Sequence, residues 1–398
     1  MLIGVVGKAN VGKSTFFKAA TLADVEIANY PFTTIDKNQG VGFVKVSCAD
    51  KEFKVECRPR FGYCIKGNRF VPLEMIDVAG LVPEAHLGKG RGNEFLDDLR
   101  QADLLIHLID ISGGTNEQGE PITPLSYDPE KDVRFLEVEI DMWFFGLLKK
   151  SWERFAKQVK QEKKEIEKEI AKQFSGLKIN EDMVKWVFDK LKFDKDAASW
   201  KEEELKRFAT ELRKISKPML IAANKIDFPG SDDNLKRLQK EFPDYLIIGC
   251  SAESEVALRE ASKHGLIKYI PGEDNFETVD EKKLNERQKR ALDFIKRNVL
   301  EKYRTTGVQD VLNRAVFELL GYIAVYPVAT NKLTDKDKNI LPDCFLVPKA
   351  TTASEFAFRI HTDIGKNFIK AIDLKTKKVI GKESPLKDGD VIEIMTLK

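Results

Sequence analysis

Gly7-Lys8-Ala9-Asn10-Val11-Gly12-Lys13-Ser14 places a lysine and a hydroxyl directly after the second of two spaced glycines. This is the GxxxxGK[ST] spacing. Its glycines let backbone N–H groups curl around phosphate oxygens, its lysine reaches the β and γ phosphates, and its hydroxyl can ligate Mg²⁺. Asn10, Val11, Gly12, Lys13, Ser14 and Thr15 are therefore candidate phosphate contacts, with Lys13 acting on the transferring group. A glycine-rich turn that merely joins strand to helix is the bland alternative. The flanks favour the phosphate reading, because the apolar run Leu2 to Val6 precedes the motif and a helical pattern from Ser14 to Leu22 follows it.

Further elements recur in an order that suits the same chemistry. Asp77-Val78-Ala79-Gly80 follows the apolar run Leu73 to Ile76. Asp77 then stands at a strand's carboxyl end, where ligands of open α/β sheets gather, and is a candidate Mg²⁺ ligand acting through water. The Gly80 N–H can bond the γ phosphate and swing away when that phosphate leaves. Asn224-Lys225-Ile226-Asp227 fits NKxD. Asp227 can accept from N1–H and the 2-amino group of guanine, which adenine lacks, and Asn224 is expected to join it in choosing the base. In Cys250-Ser251-Ala252-Glu253 the Ala252 N–H is expected to meet guanine O6. Asn29-Tyr30-Pro31-Phe32-Thr33-Thr34 offers a hydroxyl to complete the Mg²⁺ shell; of the two threonines, Thr34 is the favoured one.

These residues need strands to carry them. The sequence supplies candidates at Leu2 to Val6, Val41 to Val46, Phe70 to Ile76, Leu104 to Asp110, Met219 to Ala223 and Tyr245 to Cys250, alternating with helical patterns. That is the layering of an α/β fold. The alternation lapses between Asp110 and Lys217, where a proline-containing loop gives way to a Lys/Glu-dense stretch, Lys149 to Lys172, that reads as a helical hairpin or coiled coil. A further helix is expected over Glu202 to Ile215. From Gly321 the chain changes to short strands and turn signals such as Lys387-Asp388-Gly389-Asp390. The expected division is thus a phosphate-binding domain over 1–110 and 217–320, a helical insertion over 111–216, and a small β-rich module over 321–398.

Composition excludes several classes. Hydrophobic content of 42% is ordinary for a globular chain, and no apolar run approaches a membrane span, so neither membrane nor secretory signal is expected and the cytoplasm is the expected location. Net charge is +2, from 66 basic and 64 acidic residues, so nucleic-acid binding would need a local patch and no DNA partner is expected. Charged residues reach 33%, above the roughly 25% norm, a bias that suits ion-pair networks. Five cysteines are too few and too uneven for a disulfide framework. Cys48, Cys57 and Cys64 cluster, however; with a fourth ligand they can form a zinc site, although no CxxC pair is present and reduced, buried thiols are the simpler reading.

Taken together, the ordered nucleotide elements, Tyr30-Pro31-Phe32-Thr33-Thr34 and Asp77-Val78-Ala79-Gly80-Leu81-Val82 resemble the Obg-like GTPases, specifically the YchF-related branch with a TGS domain. Phe358-Arg359-Ile360-His361-Thr362-Asp363 and Leu386-Lys387-Asp388-Gly389-Asp390-Val391 are similar to TGS segments. The resemblance implies a P-loop domain, a coiled-coil insertion and a β-grasp-like terminal domain. It also implies a GTPase bound to GTP or GDP with Mg²⁺, and a ribosome or RNA partner. Many members of that branch carry an altered base-reading motif and accept ATP; here NKxD is intact, which points to GTP. Leu81 stands where a Ras-like protein has its water-positioning glutamine, so slow intrinsic turnover is expected. Asn10 resembles the P-loop asparagine of potassium-stimulated GTPases, and asparagine also suits a tight loop. His86, Lys89 and Arg91 are loop residues within reach of the same phosphate or simply solvated. Lys366, Lys370, Lys375, Lys377 and Lys378 can track RNA phosphates or be ordinary surface charges. Two rivals stand beside the GTPase reading: an ATPase with the same machinery, and a nucleotide-stabilised RNA-binding scaffold with incidental turnover.

Overall fold

Leu104–Asp110 and Met219–Asn224 are buried at every position, with no polar alternation, as strands covered on both faces must be. A computed structural model describes residues 1–22, 38–78, 92–329, 333–335 and 337–397, with only the backbone of 92–94, 96 and 97. The chain divides into two units: Met1–Phe17, Asn38–Gly40 and Glu74–Glu253 form the first, and Lys18–Lys37, Val41–Leu73 and Ser254–Lys398 the second.

In the first unit, the end of Asn68–Asp77 pairs in parallel with Leu2–Val6, which pairs with Leu104–Asp110, then Met219–Asn224, then Ile247–Cys250. Strand order therefore reverses at Leu2–Val6. A doubly wound sheet opens a crevice beyond the carboxyl ends of its strands at such a reversal, and Gly7 to Ser14 lies there. The strands expected from sequence are all present, with ends shifted by no more than two residues.

The insertion is helical, as expected, and of the two forms expected for its Lys/Glu-dense stretch, helical hairpin or coiled coil, the coiled coil is not seen. It is a bundle of short helices, Glu130–Lys149, Trp152–Gln161, Ile166–Gln173, Glu181–Leu191 and Glu202–Ser216. Lys163 adopts a left-handed conformation (φ 51°) and breaks that stretch. The pieces on either side, 10 and 8 residues long, fall short of the three or four heptads a coiled coil needs. What holds them is an aromatic core: Trp152 stacks on Trp200 at 5.3 Å, and Phe208 packs against Trp200 at 5.1 Å and Phe188 at 5.5 Å.

In the second unit, a five-stranded sheet runs in the order Phe345–Pro348, Tyr322–Val328, Val391–Thr396, Phe368–Asp373, Val379–Ile380. Tyr322–Val328 and Val391–Thr396 are parallel, and their neighbours antiparallel. The helix Ala353–Ile360 starts at a capping box between Thr352 and Glu355 and puts Phe356, fully buried, into the core under the sheet. This is the small β-grasp-like module expected after Gly321.

Candidate functional site

Every lining residue of a 510 Å³ cavity comes from the first unit, and nearly all of them from the loops that sequence singled out. Asn10, Gly12, Lys13, Ser14 and Thr15 line one side; Asn224, Lys225, Asp227, Ser251 and Ala252 line the other. The apolar strand Leu2–Val6 drives the first loop to the sheet's edge, and the helix Lys13–Thr21 begins inside it, so helix-terminal N–H groups face the cavity. Gly12 has a φ of +95°, and a Cβ there would stand 2.3 Å from Asn224 Nδ2. Only glycine permits that approach.

Cation and hydroxyl converge on Asp77. Lys13 Nζ lies 3.1 Å from Asp77 Oδ1, and Ser14 Oγ donates to Oδ2 at 3.5 Å. A serine hydroxyl and a carboxylate are hard oxygen donors on one point, the donor chemistry that Mg²⁺ selects. Val11 is fully buried and contributes its carbonyl instead of a side-chain contact. Thr34, Gly80, Leu81, His86, Lys89 and Arg91 lie outside the described residues.

Asn224, expected to help choose the base, lines the cavity and also ties two loops together. Its Nδ2 donates to Val11 O at 2.8 Å and its Oδ1 accepts from Ala252 N–H at 3.0 Å, with the side chain 3% exposed. One Nδ2 hydrogen and the Oδ1 are engaged with protein, and the second Nδ2 hydrogen stays available to a ligand. The Ala252 N–H, expected at guanine O6, donates to Asn224 in this structure, and Asp227 stands on the same wall. Its half-buried carboxylate lines the cavity. Lys225 adopts φ 65° and turns back, its Nζ 2.7 Å from Asp110 Oδ2 and 3.1 Å from Asn10 O. Asp110 itself, 1% exposed, also accepts from the Ser112 backbone N–H and hydroxyl and from the Thr115 hydroxyl.

Sequence reasoning missed a brace around this loop. Lys8 is 8% exposed and its ammonium sits 2.9 and 2.8 Å from the two Asp132 oxygens, 3.0 Å from Thr115 O and 3.9 Å from the Tyr127 ring centre. Burial pushes the Asp132 carboxyl up, and Lys8 and Tyr127 oppose that rise. Asn10 Nδ2 donates to Gly119 O at 2.8 Å. A Cβ on Gly119 (φ +83°) would meet Ala9 O at 2.9 Å. Segment 112–128 is thus fitted against the phosphate loop. The only trace of it in the sequence was a loop rich in glycine and proline. Phe228, 41% exposed on the cavity wall beside Asp227, was also missed; an aromatic residue directly after NKxD was its signal, since a base can stack on such a ring.

Comparison with known proteins gives matches over most of the chain. Residues 2–138 match the family described as 50S ribosome-binding GTPase, residues 222–330 the Obg-like GTPase YGR210-like G4 motif-containing domain, and residues 336–396 the TGS domain. A GTP-binding protein of Methanocaldococcus jannaschii is 50% identical, over 99% of each chain. A protein of Bacillus subtilis named ribosome-binding ATPase YchF is 26% identical, over 98% of this chain and 97% of its own. The crystal structure of a GTP-binding protein from Pyrococcus horikoshii superposes with a TM-score of 0.80 at 39% identity, covering both chains entirely.

Proposed function

Because this chain belongs to the Obg-like GTPases, we propose that it binds GTP with Mg²⁺, hydrolyses it slowly to GDP and phosphate, and lets the nucleotide state set its association with the ribosome. The observation that carries this reading is Asp227, whose carboxylate lines the same cavity as Lys13 and Ser14. In that arrangement Lys13 and the loop amides hold the phosphates, and Ser14, Asp77 and Thr34 hold Mg²⁺. The bound ion neutralises charge that develops on the phosphoryl oxygens. Asp227 accepts from guanine N1–H and the 2-amino group, Phe228 stacks on the base, and Asn224 keeps the two loops at their separation. Gly80 follows the γ phosphate and releases its loop on hydrolysis. Asn10 gives its amide nitrogen to Gly119, which leaves Oδ1 as the atom for a potassium ion. Ribosome association rests on the family matched by residues 2–138 and on the Bacillus relative's name. The divided domain plan, 1–110 with 217–320, 111–216 and 321–398, belongs to the same proposal.

That relative is named an ATPase, so ATP is the second reading. Affinities for GTP, GDP and ATP, measured with Mg²⁺ on wild type and Asp227→Ala, separate the two. Guanine preference that disappears in the variant, with phosphate release stimulated by ribosomes, is the expected result. Equal ATP affinity in wild type overturns the base assignment and puts the ATPase first. Phosphate release with and without potassium tests Asn10.

A further inference from the structure

The excursion between the strands Gln39–Ser47 and Asn68–Asp77 brings together groups that nucleotide chemistry does not use. Cys48 follows directly on the first strand, Asp50 opens the four-residue turn of helix Asp50–Phe53, Cys57 follows in a loop, and Cys64 lies in the short strand Tyr63–Ile65. One atom from each, three sulfurs and a carboxylate oxygen, lies within 4.8 Å of all the others. Cys48 Sγ and Cys57 Sγ are 3.6 Å apart, and Cys64 Sγ is 3.6 Å from Asp50 Oδ2. A tetrahedron of ligands about 2.3 Å from its centre has edges of about 3.8 Å, slightly shorter where one ligand is oxygen. The two 3.6 Å separations match such edges, and the other four lie within 4.8 Å.

We infer that Cys48, Asp50, Cys57 and Cys64 form a structural zinc site. Asp50 is the decisive residue. It is 8% exposed, and its Oδ1 has no hydrogen-bond partner among the described residues. A carboxylate set among thiols in an apolar pocket, without full pairing, costs several kcal/mol; a divalent cation removes that cost. Simple packing accounts for buried cysteines but gives no reason for a carboxylate among them. A disulfide engages two sulfurs at about 2.05 Å and leaves the third sulfur and the carboxylate unexplained. Three soft sulfurs with one oxygen, tetrahedral and closed, select zinc over magnesium or calcium. The four ligands leave no open position, so the role is structural.

The surroundings say what the ion would fasten. Cys48 and Cys57 pack in one cluster with Tyr326, Leu341, Leu374 and Val391 of the terminal module. Arg69, 1% exposed and close enough for its charge to act on Cys48, donates to Leu341 O at 3.1 Å and Pro342 O at 2.7 Å. Arg58 and Arg60 donate backbone N–H groups to Ile340 O and Pro342 O, both at 2.8 Å. Zinc here clips residues 48–65 into the shape against which the terminal module rests.

The test begins with the full chain purified without a metal-binding tag. Elemental analysis should find about one zinc per chain. After zinc is stripped with a chelator under reducing conditions, added Co²⁺ should give the visible absorption of tetrahedral cobalt and a near-ultraviolet thiolate charge-transfer band. This needs no variant. Cys57→Ser with Cys64→Ser should lose both zinc and the cobalt spectrum, Asp50→Ala should weaken retention against chelator at least tenfold, and Cys344→Ser should change neither. A far-ultraviolet circular dichroism spectrum unchanged in the double variant, beside retained guanine-nucleotide binding, shows that both units fold. A stripped chain that takes up no Co²⁺, or a double variant that keeps its zinc, overturns the inference.

Discussion

Asn224 and Asp227 stand three residues apart in one motif, and on the proposed reading their contributions differ in a way that can be measured. Asn224→Ala strands the Val11 carbonyl and the Ala252 N–H, which its amide joins. Each buried group left unpaired costs about 1–3 kcal/mol. The expected outcome is a loss of about 2–6 kcal/mol in unfolding free energy, read by denaturant titration, with GTP and ATP affinity weakened alike. Asp227→Ala is expected to leave unfolding nearly unchanged, because the carboxylate is half exposed on the cavity wall. It should weaken GTP binding by about 100-fold while ATP hardly changes, since hydrogen bonds to a charged acceptor contribute about 1.5–3 kcal/mol each. Equal losses for both nucleotides in Asp227→Ala would return that residue to the ordinary role of a turn carboxylate. Gly12→Ala works through shape: a methyl group 2.3 Å from Asn224 Nδ2, on a backbone at φ +95°, should push that side chain away and reduce GTP affinity at least tenfold, measured by calorimetry.

At the scale of elements, the phosphate loop is held by a segment that contributes little of the cavity wall. Lys8 belongs to the motif by spacing, yet its ammonium is buried against Asp132, Thr115 and Tyr127, so Lys8→Met leaves a buried carboxylate without its counter-ion. Breaking one partner of a buried pair costs about 3–5 kcal/mol. Lys8→Met should therefore destabilise the first unit strongly, and adding Asp132→Leu should recover most of the loss; a melting series of the single and double variants checks this. His107 makes a second test, in the middle of the strand Leu104–Asp110. Burial first, and the Lys8 charge second, push its imidazole down to about 3. A base whose folded pKa is depressed keeps its full contribution above its unfolded value near 6.5, and loses it as pH falls towards about 3. Over that window wild type should lose about 1.4 kcal/mol more per pH unit than His107→Asn.

The same elements show what the sequence could and could not tell. Strands buried on both faces announce themselves as continuous apolar runs, so Leu2–Val6, Leu104–Asp110 and Met219–Asn224 were legible almost to the residue. The insertion was legible as helical but not in its form. Lys/Glu density marks exposed faces, whereas the bundle is decided by Trp152, Trp200 and Phe208, which are far apart in sequence. Phe368–Asp373 escaped because Phe, Ile and Ala are interleaved with Lys370 in a half-exposed strand. In the cavity the motif residues were legible, because phosphate and guanine each demand fixed residue types at fixed spacing. The Lys8 brace was not, since its partners lie 107 and 124 residues away. Motif spacing says that Asn224 and Asp227 gather at the cavity; that Asn224 also ties Val11 to Ala252 was legible only in the geometry.

For the whole molecule the question is whether nucleotide chemistry in the first unit is felt in the second. The cavity lining belongs entirely to the first unit. Two stretches outside the described residues, 23–37 and 79–91, carry Thr34 and Gly80, and two of the five unit boundaries, at 17/18 and 73/74, fall just upstream of them. A ligand shifts an equilibrium only by the difference in its affinity for the two states. Binding alone, at 100 times the dissociation constant, stabilises the folded chain by about 2.7 kcal/mol wherever the coupling ends. Hydrogen exchange compared between GTP-bound and GDP-bound chains isolates the differential part. If the chain is a switch, amides of the strands Tyr322–Val328 and Val391–Thr396 should exchange at different rates in the two states, with Asp227→Ala abolishing the difference at limiting GTP. If it is a nucleotide-stabilised scaffold, both nucleotides should protect Gly7–Thr15 and Asn224–Glu253 alike and leave the terminal strands unmoved. The second pattern would refute the switch while leaving guanine recognition at Asp227 intact.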